Sequence, residues 1–260
     1  MRIPSIRDDR PRRDDTRRAT ASAGAPGDAP PSPARPVHLC GTWLAISTGD
    51  QAAVLAAVDL SDPVPVTMRE GESAWNRDHH SWDTDGRRRN TRMYVTPVID
   101  GWTLVFGDLP GSAHPASGLW ARDAQALCAR LSARFGAAHL YGMSCGDSWT
   151  MWCLAEAGTV RRYYELEAGE RVGSHPAEDG FRLPDEDEDL PPDAYDGIDP
   201  GDVDAVMARR AELYERLALP EVCYATDIAA LTSVDPSTFG PHTRVSGQGV
   251  LALTAHGRRQ

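Results

Sequence analysis

The chemistry that the sequence could perform is most visible in a G-x-S-x-G pentapeptide at residues 142–146, centred on Ser144. In α/β-hydrolases this pentapeptide forms a strained strand-to-helix turn that exposes the serine hydroxyl. Acids and histidines follow in the required order, as Asp199 or Asp227 and then His242 or His256. A serine hydrolase that uses Ser144, Asp227 and His242 is therefore one hypothesis. The residues after the motif, beginning with Trp149, are typical of a second strand, so an ordinary strand-turn-strand is the preferred interpretation.

A second group of residues could bind a metal ion. It contains two adjacent histidines and two acids, His79, His80, Asp83 and Asp85. Imidazole and carboxylate ligands suit zinc or iron. However, adjacent side chains point apart on regular secondary structure, and no further His or Cys cluster is spaced to complete a site. We therefore predict no metal site and no cofactor, and we expect residues 69–90 to form a polar insertion exposed as a long surface loop.

Residues 226–239 have the pattern of a helix-turn-helix, in which the second helix would lie in the major groove of DNA. Gly240 and Pro241 would end that second helix after one turn, and Arg244 is the only basic residue nearby. The formal net charge of −11 also disfavours contact with nucleic-acid backbones and anionic membranes. A DNA-binding regulator is the least favoured alternative, and we predict neither a nucleic-acid nor a membrane partner.

Acidic residues are concentrated in an acidic loop at residues 178–204, where Arg182 is the only basic residue. Its centre is an unbroken run of acids, Asp185, Glu186, Asp187, Glu188 and Asp189. Such a surface would speed the encounter with a basic protein partner, acting more on the association rate than on the final affinity. The run is predicted to be an interaction site, and a solvated linker is the competing interpretation.

Composition excludes several enzyme classes. All 27 basic Lys and Arg positions are arginine, so there is no lysine for a Schiff base, a P-loop or a kinase strand. The five cysteines form no CxxC pair, which predicts scattered buried thiols rather than a disulfide framework. No apolar run is long enough for a transmembrane helix, and no apolar segment follows the N-terminal arginines as a signal peptide requires. A cytoplasmic location is expected.

The elements that would position these residues are organised around residues 91–110. Two apolar strands flank a turn at Asp100 and Gly101, a strong hairpin signal. A helix ending before Gly136 and a meander of three or four further strands follow, with two helices nearer the C-terminus. The absence of a βαβ rhythm predicts an α+β fold with a mainly antiparallel sheet, a central hairpin and packed helices.

The domain organisation follows from composition. Residues 1–36 have almost no apolar side chains after Ile6 and cannot offset the entropy of ordering, so they are predicted to be a disordered N-terminal tail. Residues 37–256 are predicted to form a single α+β domain that contains the polar insertion and the acidic loop.

Three segments of the chain carry a resemblance to a known family: TWLAIST, GWTLVFGD and SVDP, the last at residues 233–236. With them, residues 42–250 resemble a family of uncharacterised actinobacterial α+β proteins. The resemblance implies a standalone domain with no assigned reaction or catalytic residues, and some members are similar to immunity proteins in size and acidity. The function expected from the sequence is therefore that of a non-enzymatic protein-interaction protein, of an immunity or accessory type.

Overall fold

The computed structural model of the protein describes residues 39–81, 91–108, 120–144, 146, 148–166, 171–186 and 190–259. The chain divides into two units, Met1–Pro30 and Pro31–Gln260. The first unit lies outside the described residues, and so does all of the predicted tail at residues 1–36. The description that follows concerns the second unit.

Ten strands form one antiparallel sheet. They are β1 (Gly41–Ile46), β2 (Ser61–Val66), β3 (Arg92–Ile99), β4 (Trp102–Phe106), β5 (Ala137–Met143), β6 (Thr150–Glu156), β7 (Thr159–Glu165), β8 (Val172–Gly173), β9 (Val245–Ser246) and β10 (Gly249–Leu253). The strand order is β2-β10-β3-β4-β1-β5-β6-β7-β8, and β9 pairs with β3. Strands β5, β6 and β7 form the predicted meander. The predicted α+β class with a mainly antiparallel sheet is confirmed.

The predicted hairpin is formed by β3 and β4, which pair through Ile99 and Trp102. Asp100 and Gly101 have φ angles of 48° and 91°, the left-handed values that a two-residue hairpin turn requires at both positions. The hairpin lies beside the middle of the sheet. The middle strand of the sheet is β1, which pairs with β4 on one side and with β5 on the other. Its apolar residues alternate between two covered faces.

The described residues form five helices, α1 (Gln51–Ala57), α2 (Met68–His79), α3 (Trp120–Phe135), α4 (Val203–Leu217) and α5 (Ala225–Thr232). Of these, α1 and α3 cover one face of the sheet, and α2 and α5 cover the other. Along β1, Leu44 and Ile46 join one apolar core with α1 and α3, whereas Trp43 and Ala45 join the other core with α2 and α5. Because successive side chains of a strand point to opposite faces of the sheet, this strand contributes side chains to both cores. Within the described part of the chain, no helix combines the length and apolar composition that a bilayer span needs.

The expected surface loop at residues 69–90 is wrong over its first half, which is helix α2. Thr67 and Glu70 form a capping box, with the threonine hydroxyl accepting from the Glu70 amide and the glutamate accepting from the Thr67 amide. Ala74 and Trp75 bury one side of this otherwise polar helix. The buried residues Gly71, Ala74 and Trp75 are at helical spacing, but only one of them is a large apolar side chain, so the pattern is too weak to indicate a helix. Residues 82–90 lie outside the described part.

Two local sequence patterns differ from the structure. The alternation of apolar and polar residues in β7 is typical of a half-solvated strand, yet Arg162, Tyr163, Tyr164 and Glu165 are all buried, because α3 covers one side and the segment after β8 covers the other. Asp199 and Pro200 have the pattern of a helix start, but the N-cap of α4 is Asp202, which accepts from the Ala205 amide. Asp199 accepts from the Gly201 amide in the preceding turn instead.

Candidate functional site

Ser144 lies at the end of β5, in the loop that leads directly to the antiparallel strand β6. Its backbone amide donates to the carbonyl of Trp149 at 2.8 Å, which closes this loop. Its hydroxyl accepts from the amide of Gly146 at 3.3 Å. A nucleophile elbow needs a helix after the serine, so the geometry is that of the preferred strand-turn-strand.

The proposed partners of Ser144 are used or placed elsewhere. Asp227 belongs to the first turn of α5, where its carboxylate accepts from the Tyr224 amide at 2.8 Å as part of a helix cap. His242 is exposed in the loop before β9. No hydrogen bond among the described residues joins Ser144 to either of them. The arrangement therefore lacks the base-to-nucleophile contact on which serine hydrolysis depends.

The candidate helix-turn-helix consists of α5 followed by a single 3-10 turn, Pro236–Thr238. Ile228 and Ala229 of α5 are buried against the sheet. Arg244, the basic residue nearest to the motif, donates to Asp100 at 2.7 Å. There is thus no recognition helix in this segment, and its one cation is paired with a carboxylate of the central hairpin.

The first part of the acidic loop, described at residues 178–186, makes close contacts with the sheet. Glu178 is nearly buried, and one of its carboxylate oxygens accepts from Arg162 at 2.6 Å and from the Trp152 indole at 2.7 Å. Arg162 also donates to the Gly173 carbonyl at 2.7 Å, so the buried guanidinium has several acceptors. A buried charge is tolerated only with such pairing, so Glu178 is a structural anchor that links β6, β7 and β8.

The two described members of the predicted interaction run also make internal contacts. Asp185 accepts from the Tyr164 hydroxyl at 2.9 Å and pairs with Arg171. Glu186 accepts from the Leu183 amide at 2.9 Å. The other three acids of the run, Asp187, Glu188 and Asp189, lie outside the described residues. A role of the run in steering a partner stays a prediction.

The second part of the acidic loop, residues 190–204, differs from the first because its acidic side chains face solvent. Asp193, Asp196, Asp199 and Asp204 are all exposed. Successive turns carry the chain through this part, with backbone bonds such as that from the Asp196 amide to the Asp193 carbonyl. The segment ends on the capping aspartate of α4, so its exposed carboxylates are held on an ordered scaffold next to that helix.

Helix α4 leaves half of its apolar stripe uncovered. Leu213 is completely buried, whereas Val203, Met207 and Leu217 are 67%, 55% and 38% exposed. At 3.6 residues per turn, these three side chains lie within about 80° of one another on the helix surface. Exposed apolar residues are ordinary when they are scattered. These three lie on one side of one helix, with Arg210 and Tyr214 between Met207 and Leu217, and they make that side a candidate interaction surface. We call this face of Val203, Met207 and Leu217 the α4 face.

Polar contacts from the body of the protein hold α4 in place. Arg209 donates to the Ala194 carbonyl at 2.9 Å, which fixes the helix to the turns before it. Arg182 donates to the Tyr214 hydroxyl at 2.8 Å, which links the helix to the segment after β8, and within the helix Arg210 lies over the Tyr214 ring. The α4 face is therefore presented by a helix whose orientation is fixed by one buried leucine and by arginine contacts.

His139 is a buried titratable side chain of β5, in the same apolar core as Trp102 and Tyr141. Burial lowers its pKa to about 4, with a smaller contribution from nearby His175. Among the described residues, no side chain or backbone group is a hydrogen-bond partner of its Nδ1 atom. His139 is therefore neutral at physiological pH, and its burial makes the fold sensitive to acid.

The prediction that the side chains of the two adjacent histidines point apart is wrong. His79 is the last residue of α2 and His80 its C-cap, and their rings meet edge to face with centroids 5.1 Å apart. Cys40, immediately before β1, lies with them: the ligand atoms of the three residues are all within 4.8 Å of one another. Sequence spacing could not indicate this cluster, because it depends on where β1 begins relative to the end of α2.

The α4 face had a signal in the sequence. Its residues and Tyr214 recur at intervals of four, seven and three residues, which is the spacing of an apolar helix stripe. That pattern predicted a helix but could not show which side of the stripe packs and which stays exposed.

Comparisons with family models, with curated proteins and with solved structures each found no match. The resemblance to actinobacterial α+β proteins stays a prediction. A function must therefore be inferred from the arrangement of this chain's own side chains.

Proposed function

We propose that the protein acts by binding another protein through the α4 face, and that exposed carboxylates around this face select a partner with a basic surface. The observation that carries the proposal is the exposure of Val203, Met207 and Leu217 on a helix that is otherwise anchored. Water contact with these three side chains is unfavourable, and a partner that covers them gains the corresponding transfer free energy.

Charge supports a basic partner. Asp193, Asp196 and Asp204 are exposed beside or on α4, and Glu215 is exposed on the helix itself. The arginines of α4 are largely engaged within the protein, as with Arg209 on Ala194 and Glu212. Helix α4 carries three acids and three arginines, so the excess of negative charge beside it comes from the exposed aspartates of the preceding turns. That excess favours a cationic partner and raises its association rate.

The same charges disfavour a second copy of this chain as the occupant. Two copies that met through α4 would bring these carboxylates together, on chains that each carry a net charge of −11. An immunity or accessory role, in which an acidic protein neutralises or supports a basic one, is consistent with this surface and remains part of the proposal.

A site-specific photo-crosslinking experiment tests where the partner binds. A photoreactive amino acid is placed at Met207 and, as a matched control, at Val64, which is 60% exposed on β2 at the opposite end of the strand order from β7 and β8. In cells of the native host, we expect position 207 alone to crosslink one basic protein. Equal products at both positions, or only dimers of the protein itself, would contradict the proposal.

A further inference from the structure

The cluster of Cys40, His79 and His80 has the composition of a transition-metal site. One thiol and two imidazoles come from two separate elements, the residue before β1 and the end of α2, and their ligand atoms lie within 4.8 Å of one another. Around a tetrahedral zinc ion the corresponding atoms would be roughly 3.3–3.6 Å apart, from Zn–S and Zn–N distances of about 2.3 and 2.0 Å. Metal binding therefore requires the ligand atoms to approach one another by up to about 1.5 Å.

For coordination through Nε2, His80 has a suitable hydrogen bond on its other ring nitrogen. Its Nδ1 is 2.7 Å from the carbonyl oxygen of Asn76, one turn earlier in α2. A carbonyl oxygen can only accept, so Nδ1 carries the proton and Nε2 keeps its lone pair. A backbone carbonyl bonded to the second ring nitrogen is the usual way in which proteins orient a metal-binding histidine.

His79 is seated by its neighbours. Its ring rests against Gly41, where an added Cβ would lie 2.7 Å from the ring carbon Cε1. Gly41 has a φ of 127°, a left-handed value that favours glycine and allows this close approach. On the other side, the ring lies 6.1 Å from the buried Trp75 ring. The strand start and the helix end are thus packed together through the imidazole.

The position of the cluster allows an ion to reach it. Cys40 and His79 are half-buried and His80 is exposed, so the ligands lie at the surface rather than inside either core. A thiolate with two imidazoles suits a borderline-soft ion, and these ligands are poor ones for magnesium or calcium, which prefer oxygen.

We propose that Cys40, His79 and His80 bind a Zn²⁺ ion, with the fourth coordination position open to water or an external ligand. On binding, the Cys40 thiol gives up its proton to solvent and the thiolate donates to the metal. The site is independent of the α4 face, and it would connect the start of the middle strand with the end of α2.

The test uses the full chain, reduced with a thiol-free reductant and treated with a chelator before titration with Co²⁺. Tetrahedral cobalt bound by a thiolate gives a near-ultraviolet charge-transfer band and intense visible bands. We expect these bands to saturate at one Co²⁺ per chain and to disappear when Zn²⁺ is added. Absence of the thiolate band at equimolar Co²⁺ would overturn the proposal.

Three variants locate the site. Cys40→Ser should abolish the thiolate band, and His80→Gln should weaken cobalt affinity by at least about tenfold, since even the loss of an outer-shell partner has that effect. His242→Gln is the matched control, an exposed histidine outside the cluster, and should bind cobalt like the parent. Circular dichroism checks each fold, and the exposed position of His80 keeps its variant informative if Cys40→Ser does not fold. Bands that persist unchanged in His80→Gln would place the metal elsewhere and refute the assignment.

Discussion

The two parts of the acidic loop have similar composition and opposite environments. In the first part, Glu178 and Asp185 bind to cations and hydroxyl or indole donors of β6 and β7, and they hold the edge of the sheet together. In the second part, Asp193 and Asp196 face solvent next to a helix with an uncovered apolar face. Charge density along the sequence therefore identifies neither a linker nor a binding surface; the partners of each carboxylate do.

The difference has a physical cause. Strand β7 places Arg162 in a buried position, and a buried guanidinium requires an anion close by. Glu178 supplies that anion, so the chain after β8 is drawn back onto the sheet. No comparable buried cation exists in the described turns at residues 190–202, and carboxylates such as those of Asp193 and Asp196 face solvent.

The largest effect is expected from breaking the anchored part. Glu178→Gln leaves the Arg162 guanidinium buried without its countercharge, and we expect a loss of about 3–5 kcal/mol in the free energy of unfolding. Urea denaturation at neutral pH measures it. Asp196→Asn, an exposed acid of the second part, should stay within about 0.5 kcal/mol of the parent. Equal effects of the two substitutions would mean that the two parts do not differ.

A second prediction concerns the acid sensitivity that His139 gives the fold. His139 interacts electrostatically with His175, which caps the 3-10 turn that contains Glu178. The pKa of His139 is lowered from 6.5 to about 4, so the unfolded state binds the proton first as pH falls. Stability should therefore decline between pH 6.5 and 4, by up to about 3 kcal/mol from this group. His139→Phe should lose that part of the decline in denaturation experiments across this range. An unchanged pH profile would contradict the assignment.

Neutralising an acid of the first part should lower stability, whereas neutralising acids of the second part and of α4 should slow association. The combination Asp193→Asn, Asp196→Asn and Glu215→Gln should leave the unfolding free energy within about 0.5 kcal/mol of the parent. It should slow association with the crosslinked partner and reduce the salt dependence of that rate. Asp185→Asn should instead lower stability, because it removes the charge that pairs with Arg171 and leaves only one acceptor oxygen for the Arg171 and Tyr164 donors. Stopped-flow mixing measures the association rate, and urea denaturation measures the stability. A triple variant of lower stability, together with an Asp185→Asn variant of unchanged stability, would refute the division of the acidic loop into two parts.

Local patterns in the sequence predicted much of the fold. The Asp-Gly turn defined the β3–β4 hairpin, and helical periodicity followed by Gly136 defined α3, because both signals are contained within a few neighbouring residues. The burial of β7 was not predictable in this way. It depends on Arg162 meeting Glu178, which is distant in sequence and approaches only after the chain turns at β8.

The candidate sites show the same limit. Helical periodicity predicted α4, but the exposure of Met207 depends on which neighbours cover the helix. The pair of histidines was visible in the sequence, whereas Cys40 joins them only through the packing of the start of β1 on the end of α2. Long-range packing decides both sites, and a single sequence records it weakly.

The central claim is that the α4 face binds a basic partner, and the affinity of that partner for surface variants tests it most directly. Isothermal titration compares the parent with the double substitution Val203→Asp and Met207→Asp, and with Val64→Asp as the matched exposed control on β2. We expect the double substitution to weaken binding by roughly 2 kcal/mol or more, the loss typical of central interface residues, and the control to bind like the parent. Unchanged affinity in the folded double variant would contradict the account.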